Sequence, residues 1–132
     1  MQALRAITPL ALPIPRAVYG LLAAVLAAGA IALVLTRDVS GWAVLAFALA
    51  PDIALFVGFA PGLARGQLHT RAVPLYNALH AFPGPILLGA AALLWLGPLW
   101  QAGALAWGAH IALDRALGYG FRAGDGFIRG RA

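Results

Sequence analysis

Residues 17–36, AVYGLLAAVLAAGAIALVLT, form an apolar run without a single charge. A membrane helix needs about 20 such residues, because each residue adds about 1.5 Å and the hydrocarbon layer is about 30 Å thick. The rest of the chain has the same character. Of its 132 residues, 63% are hydrophobic and 10% are charged, whereas about a quarter of an ordinary soluble domain is charged. The sequence therefore predicts a multi-pass membrane protein.

Three further apolar segments follow the first one and predict helices of similar length. Short connections make consecutive helices antiparallel neighbours. The predicted fold is an all-α, four-transmembrane-helix antiparallel bundle in a single membrane domain over residues 1–132, ending in a basic tail over residues 119–132. The predicted helices cover about residues 17–36, 41–62, 74–96 and 98–118.

The distribution of arginine predicts the orientation of this bundle. Most arginines lie before the first helix, between the second and third helices, or after the fourth, and the positive-inside rule places those segments in the cytoplasm. Both termini are therefore predicted to be cytoplasmic, in the bacterial cytoplasmic membrane, with the basic tail along anionic headgroups. Nucleic acid is not an expected partner. The arginines on this side are Arg5, Arg16, Arg65, Arg71, Arg122, Arg129 and Arg131.

The first apolar run has an alternative interpretation as a cleaved signal peptide. Arg5 and Arg16 precede it, and LAAGA within it resembles a cleavage region. The run continues for several apolar residues beyond that point, which favours a retained membrane anchor.

Several polar residues lie inside the apolar segments, where an ionisable group costs at least ~2.5 to 3.5 kcal/mol. Asn77 and His80 are three residues apart and His110 and Asp114 are four apart, so each pair occupies one helix face. The third and fourth helices form a hairpin, which puts the two pairs at matching depths. Pro51 removes a backbone hydrogen bond beside Asp52 and could aim that carboxylate inward. The sequence predicts that these groups converge in a cluster that opens toward the cytoplasm.

Two imidazoles and two carboxylates form a donor set that suits zinc, iron or manganese. We expect Asp52, His80, His110 and Asp114 to be the metal ligands. An open coordination position would activate water for hydrolysis of a membrane-associated substrate. The side chains expected to support the ligands or contact substrate are Asn77, Arg115 and Tyr119.

Other interpretations of the same residues remain open. The polar groups can form a hydrogen-bond network that only fixes helix packing, as in a non-enzymatic accessory or scaffold subunit of a membrane complex or in a homo-oligomer or hetero-oligomer. A proton relay is a further alternative, as is a haem with His80 and His110 as axial ligands. The chain has no cysteine, so thiolate ligands and cysteine nucleophiles are excluded.

Three strings carry a resemblance to a known family: APDIALFVG, YNALHAFPGP and HIALDRALGYG, which begin at residues 50, 76 and 110. Over roughly residues 15–127 the chain resembles small bacterial integral membrane proteins grouped as domain of unknown function 4260. The resemblance implies a topology and a motif but no reaction. Members typically continue past the Gly-Phe pair into an acidic, histidine-containing tail, where this chain has IRGRA, so a site that uses such a tail would differ here. By this resemblance the family's polar motif positions are Asp52, Asn77, His80, His110, Asp114 and Arg115.

Overall fold

The computed structural model describes residues 13–129, and this part of the chain is all-helical, as predicted. Within that range the β-structure is limited to one isolated antiparallel bridge between Arg122 and Ile128. Arg5 and Arg131, which contributed to the predicted orientation, lie outside the described residues.

The first helix, α1 (Arg16–Thr36), begins directly after Pro15 and has 21 residues. Among the described helices it is the one that is long and apolar enough by itself to cross a membrane. A second stretch also qualifies, if Thr70–Leu79 and Pro83–Leu96 count as one span bent by 45°. By length and composition, therefore, one or two helices could cross a bilayer.

The predicted helix over residues 41–62 is broken at Pro51. Helix α2 (Gly41–Leu49) starts at the Ser40 side chain, which accepts a hydrogen bond from the Ala43 N–H. A 3-10 turn (Ala50–Asp52) follows, and then the short helix α3 (Ile53–Val57). Proline lacks the N–H that would continue the α-helical ladder, and the helix ends at Gly58, where a Cβ would overlap Leu68.

The predicted helix over residues 74–96 is also broken, by Pro83 and Pro85. A 3-10 turn (Thr70–Ala72) leads into α4 (Val73–Leu79), and α5 (Pro83–Ala91) continues after the break into a π-helical turn (Ala92–Leu96). The two prolines cannot donate to the carbonyl groups one turn earlier. The Leu79 carbonyl, four residues before Pro83, and the adjacent His80 carbonyl both take side-chain donors instead.

Those donors come from the last helix, α6 (Pro98–Leu117). The indole N–H of Trp107 donates to the carbonyl of Leu79 at 2.7 Å. The guanidinium of Arg115 donates to the carbonyl of His80 at 2.9 Å. Both carbonyls at the end of α4 are thus satisfied by side chains of α6.

Helix α6 occupies the centre of the bundle and packs against α1, α2 and α5. It starts at the turn of Gly97 (φ 85°) and ends at Gly118 (φ 87°), a left-handed conformation that favours glycine. Its buried residues are mostly small, which lets the neighbouring helices approach closely. They are Ala102, Gly103, Ala104, Ala106, Gly108, Ile111 and Ala112.

The tail, which the sequence predicts to lie along anionic headgroups, folds back on the protein over its described part. Residues 121–129 fold back into a hairpin held by hydrogen bonds from Arg129 N to Phe121 O and from Ala123 N to Phe127 O. Ile128 is buried in a small core with Leu68 and Tyr76. Burial of this apolar side chain explains why the tail docks on the protein up to this point.

Gly84 lies against the ring of Trp107, so we predict that Gly84→Ala destabilises the bundle. A Cβ there would be 2.6 Å from a ring carbon of Trp107, and overpacking of this kind costs about 1–3 kcal/mol. The matched control is Gly89→Ala in the same helix, whose Cβ would be 3.6 Å from Ala104 Cβ, an ordinary contact. Thermal unfolding in detergent tests this. Equal midpoints for the two variants would contradict the prediction.

Candidate metal centre

Four ionisable side chains meet at one level of the bundle. The Nε2 atoms of His80 and His110 are 3.3 Å apart. Asp52 Oδ1 lies 3.4 Å from His110 Nε2 and 3.6 Å from His80 Nε2. Asp114 Oδ2 lies 3.4 Å from His80 Nε2 and 3.6 Å from His110 Nε2. The structure therefore brings together four of the five side chains that the sequence predicted to converge, whereas the amide of Asn77 bonds the backbone of Arg122.

Two of these side chains come from proline breaks and two from a continuous helix. Asp52 ends the 3-10 turn that contains Pro51. His80 is the first residue after α4, where the helix breaks before Pro83. His110 and Asp114 project from successive turns of α6. Each carboxylate thus reaches the same pair of imidazoles from a different element.

The ring of His80 is fixed by contacts on two sides. Its Nδ1 lies 2.8 Å from the carbonyl oxygen of Tyr76, and the Tyr76 ring stacks on it with centroids 4.0 Å apart. A carbonyl can only accept, so Nδ1 carries the proton and donates, which leaves the Nε2 lone pair facing the cluster. Histidine ligands of metals usually have their second nitrogen bonded in this way.

The electrostatics of the cluster favour a proton or a cation at its centre. In a neutral His80, the Nε2 lone pair faces the oxygens of two carboxylates and another imidazole nitrogen, all within 3.6 Å. Groups that only accept hydrogen bonds repel one another at this distance, and burial strengthens the repulsion. A divalent cation would neutralise the two carboxylates. Protonation of both histidines would also do so.

The distances fit a small metal ion. The ligand atoms of Asp52, His80 and His110 all lie within 4.8 Å of one another. In a tetrahedral zinc site with bonds of about 2.0–2.1 Å, neighbouring ligand atoms are about 3.3 Å apart, which agrees with the observed 3.3, 3.4 and 3.6 Å. Asp114 contacts both histidines beside this triad. A haem does not fit between His80 and His110, because the carboxylates of Asp52 and Asp114 lie within 3.6 Å of both nitrogens and occupy the space that a macrocycle would need.

Accessibility differs strongly between the two parts of the cluster. The side chain of His80 is 2% exposed and that of His110 is 13% exposed, whereas Asp52 is 41% exposed. The cluster is therefore closed at the histidines and open at Asp52. An ion or a substrate would enter beside that carboxylate.

The three predicted supporting residues have different surroundings. Arg115 holds the His80 carbonyl and lies over the Phe121 ring, so it positions the backbone of a cluster residue. The side-chain NH₂ of Asn77 donates to the carbonyl of Arg122 at 3.0 Å, and its Oδ1 accepts from the N–H of Arg122 at 2.8 Å. These two hydrogen bonds anchor the tail. Tyr119 donates its backbone N–H to Asp114 O and is half-exposed at the end of α6.

Sequence reasoning missed two residues near the site. Trp107 lies against Gly84 and also caps α4 through its indole N–H. Arg122 was expected at a lipid surface, but it is buried, lies over the Tyr76 ring, and donates to the carbonyls of Gly66 and Gly126. The sequence signal for the role of Trp107 was the pair Pro83 and Pro85. Prolines have no N–H, so they leave carbonyls in the preceding turn that need another donor. The third histidine, His69, lies outside the cluster and caps the 3-10 turn that precedes α4.

Comparison with known proteins gives one match. The family described as domain of unknown function 4260 covers residues 17–130. The chain belongs to that family. This result confirms the resemblance inferred from the three motif strings, which include all four cluster residues. No curated protein and no solved structure matches the chain.

We predict that Asn77→Ala releases the tail. The change removes two hydrogen bonds to Arg122, each worth about 0.5–1.5 kcal/mol, so trypsin should cleave after Arg122 at least several times faster. The control is Gln101→Ala, which removes a side-chain amide bond to Ala92 O elsewhere in the fold. Mass spectrometry of a digestion time course measures both rates. Equal rates would show that the tail is held by other contacts.

Proposed function

We propose that this protein is a multi-pass membrane protein that binds a divalent metal ion and uses it to hydrolyse a membrane-associated substrate. The observation that carries the proposal is the arrangement of Asp52, His80 and His110, which present three ligand atoms at metal-site spacing. Asp114 lies against both histidines. The bacterial cytoplasmic membrane, with the cluster opening toward the cytoplasm, is the proposed location.

The apolar exterior supports a membrane location. Large side chains such as Trp42, Trp95 and Leu35 are more than three-quarters exposed, at 83%, 79% and 77%. Only 11% of the most apolar window of α1 is buried inside the protein. A soluble protein rarely exposes so much contiguous apolar surface. In this proposal α1, α2 with α3, the bent α4–α5 segment and α6 are the four spans.

The proposed orientation puts the α1–α2 connection outside and the loop before α4 in the cytoplasm. The chain has no cysteine, so single cysteines can report accessibility without background. In intact cells, a membrane-impermeant maleimide should label a Ser40→Cys variant but label an Arg65→Cys variant only after lysis. Both positions are exposed in the structure. The reversed pattern would overturn the orientation, and labelling of both would overturn the spans.

In this proposal the metal ligands and Asp114 have different roles in the reaction. An ion held by Asp52, His80 and His110 would act as a Lewis acid toward water or a substrate oxygen. Asp114, beside the two histidines, is placed to accept the proton of the attacking water. The water oxygen bonds to the carbonyl or phosphoryl centre, the bond to the leaving group breaks, and the proton passes from Asp114 to the leaving group.

Metal analysis of protein purified in mild detergent tests the site. We expect about one zinc, iron or manganese ion per chain in the wild type, and near none in His110→Ala, because the variant loses one of three ligands. His69→Ala is the matched control, since it removes the histidine that lies outside the cluster. Folded wild-type protein without metal would overturn the proposal and favour a structural network in an accessory or scaffold subunit.

Asp114→Asn distinguishes the two roles available to Asp114. Asparagine keeps the shape but is a poor proton acceptor and a weaker ligand. Retention of metal with loss of hydrolysis would support a role as base. Loss of metal comparable to that in Asp52→Asn would support the fourth-ligand role expected from the sequence.

A further inference from the structure

A pocket lined by two arginines lies at the end of the bundle where α1 begins and α6 ends. Arg115 in the last turn of α6 and Arg129 of the tail hairpin line it, together with Tyr19 of α1 and residues 81–83 of the helix break. The volume of this Arg115–Arg129 pocket is about 600 Å³, which is within the range of small-ligand sites. The four cluster residues are not among the described residues that line it. The pocket and the metal cluster are therefore separate sites.

The guanidinium of Arg115 is held in place but keeps donors for a ligand. One of its N–H groups donates to the carbonyl of His80, and the ring of Phe121 covers one face of the guanidinium at 4.4 Å. An arginine side chain has five N–H donors, so others remain after this bond. A Cβ at Gly120 would lie 3.3 Å from Nη1 of Arg115, and the glycine therefore leaves that nitrogen uncovered on this side. A fixed guanidinium with open donors is suited to bind an oxyanion.

The charges around the pocket are unbalanced. Among the described residues that line it there are two arginines and no carboxylate. Asp114, which precedes Arg115 in the chain, contacts the two histidines of the cluster instead. Two cations that line one space without a counter-charge attract an anion into it.

The position of the pocket along the bundle selects the kind of anion. Gly20 faces Ala116, so the start of α1 and the end of α6 lie at the same end of the bundle. The orientation proposed above assigns this end to the cytoplasmic headgroups. Tyr19 and Phe82 stack with centroids 6.4 Å apart, and together with Phe121 they add aromatic wall beside the arginines. Such a mixture of aromatic and cationic side chains suits the depth at which headgroups meet acyl chains.

We propose that the Arg115–Arg129 pocket binds the phosphate group of an anionic lipid headgroup in the cytoplasmic leaflet. A guanidinium matches two phosphate oxygens at once. The second arginine selects a headgroup with net negative charge, because the quaternary ammonium of a zwitterionic headgroup would lie among cations. The inference rests on the membrane location proposed above but not on the metal ion. A soluble phosphate shares this chemistry, and the test separates the two sources.

Native mass spectrometry of the protein in a neutral detergent, titrated with dioleoyl phosphatidylglycerol or dioleoyl phosphatidylcholine, tests the pocket. We expect the wild type to retain one phosphatidylglycerol per chain at concentrations where it does not retain phosphatidylcholine. Arg129→Gln should weaken binding of phosphatidylglycerol about tenfold, since it removes a charge-assisted contact but keeps the backbone hydrogen bond of residue 129. The matched control is Arg65→Gln, which removes an exposed arginine of the same proposed face outside the pocket and should leave binding unchanged.

Arg115→Lys gives an independent variant. Lysine keeps the charge and a donor for the His80 carbonyl but lacks the planar fork that holds two phosphate oxygens. We expect binding of phosphatidylglycerol to weaken several-fold in this variant as well. Wild-type affinity in both Arg115→Lys and Arg129→Gln would overturn the pocket.

The remaining outcomes separate this inference from its rivals. Equal loss of binding in Arg129→Gln and Arg65→Gln would indicate a general attraction to the basic face and overturn the pocket, and equal retention of the two lipids would overturn selection by charge. Inorganic phosphate that displaces phosphatidylglycerol at equal concentration would assign the pocket to a soluble phosphate and overturn the lipid. Metal content is measured in the same samples. Metal-free wild type that still selects phosphatidylglycerol would overturn the proposed function and support the pocket.

Discussion

The interaction on which the rest of the structure depends is the capping of the broken helix at His80. Pro83 and Pro85 interrupt the chain between α4 and α5, and the carbonyls of Leu79 and His80 are bonded by Trp107 and Arg115 of α6. In an apolar environment such carbonyls have no water to bond, so the break persists only because a neighbouring helix supplies donors. The same contacts fix the last turn of α4 against α6 and thereby bring the imidazole of His80 to the level of His110.

The side chains of the cluster come from two kinds of backbone: a regular helix and two proline breaks. His110 and Asp114 are placed by the regular spacing of α6, whereas Asp52 and His80 sit where proline has interrupted a helix. An interrupted helix can aim a side chain in a direction that a regular turn does not allow. Tyr76 adds a further restraint, because it stacks on His80 and accepts its ring N–H. The result is a set of three ligand atoms at a spacing that could hold a metal ion.

The sequence predicted which side chains lie at the same depth along the helices. It did not predict the backbone path, and in particular the direction of the helix breaks, that brings them together. Helical spacing and the hairpin connection were sufficient for His80, His110 and Asp114, because depth along a helix follows directly from residue number. The prolines indicated breaks, yet the direction of a bend depends on which neighbour supplies the missing donors. The surroundings of the arginine side chains were the hardest feature to predict. A guanidinium near a helix end normally extends to headgroups, and only the hairpin fold of the tail shows that Arg122 is buried instead.

The central position of α6 has a consequence for biosynthesis. Helix α1, the first of the described helices, packs mainly along α6, the last of them. During translation, α1 and α2 must therefore stay without their common partner until residues 98–117 have emerged. The two carbonyls at the end of α4 must likewise stay unpaired until α6 arrives. Assembly of this protein is thus a late event, and nascent chains stalled before residue 98 would expose the faces of α1 and α2 that α6 covers in the finished fold.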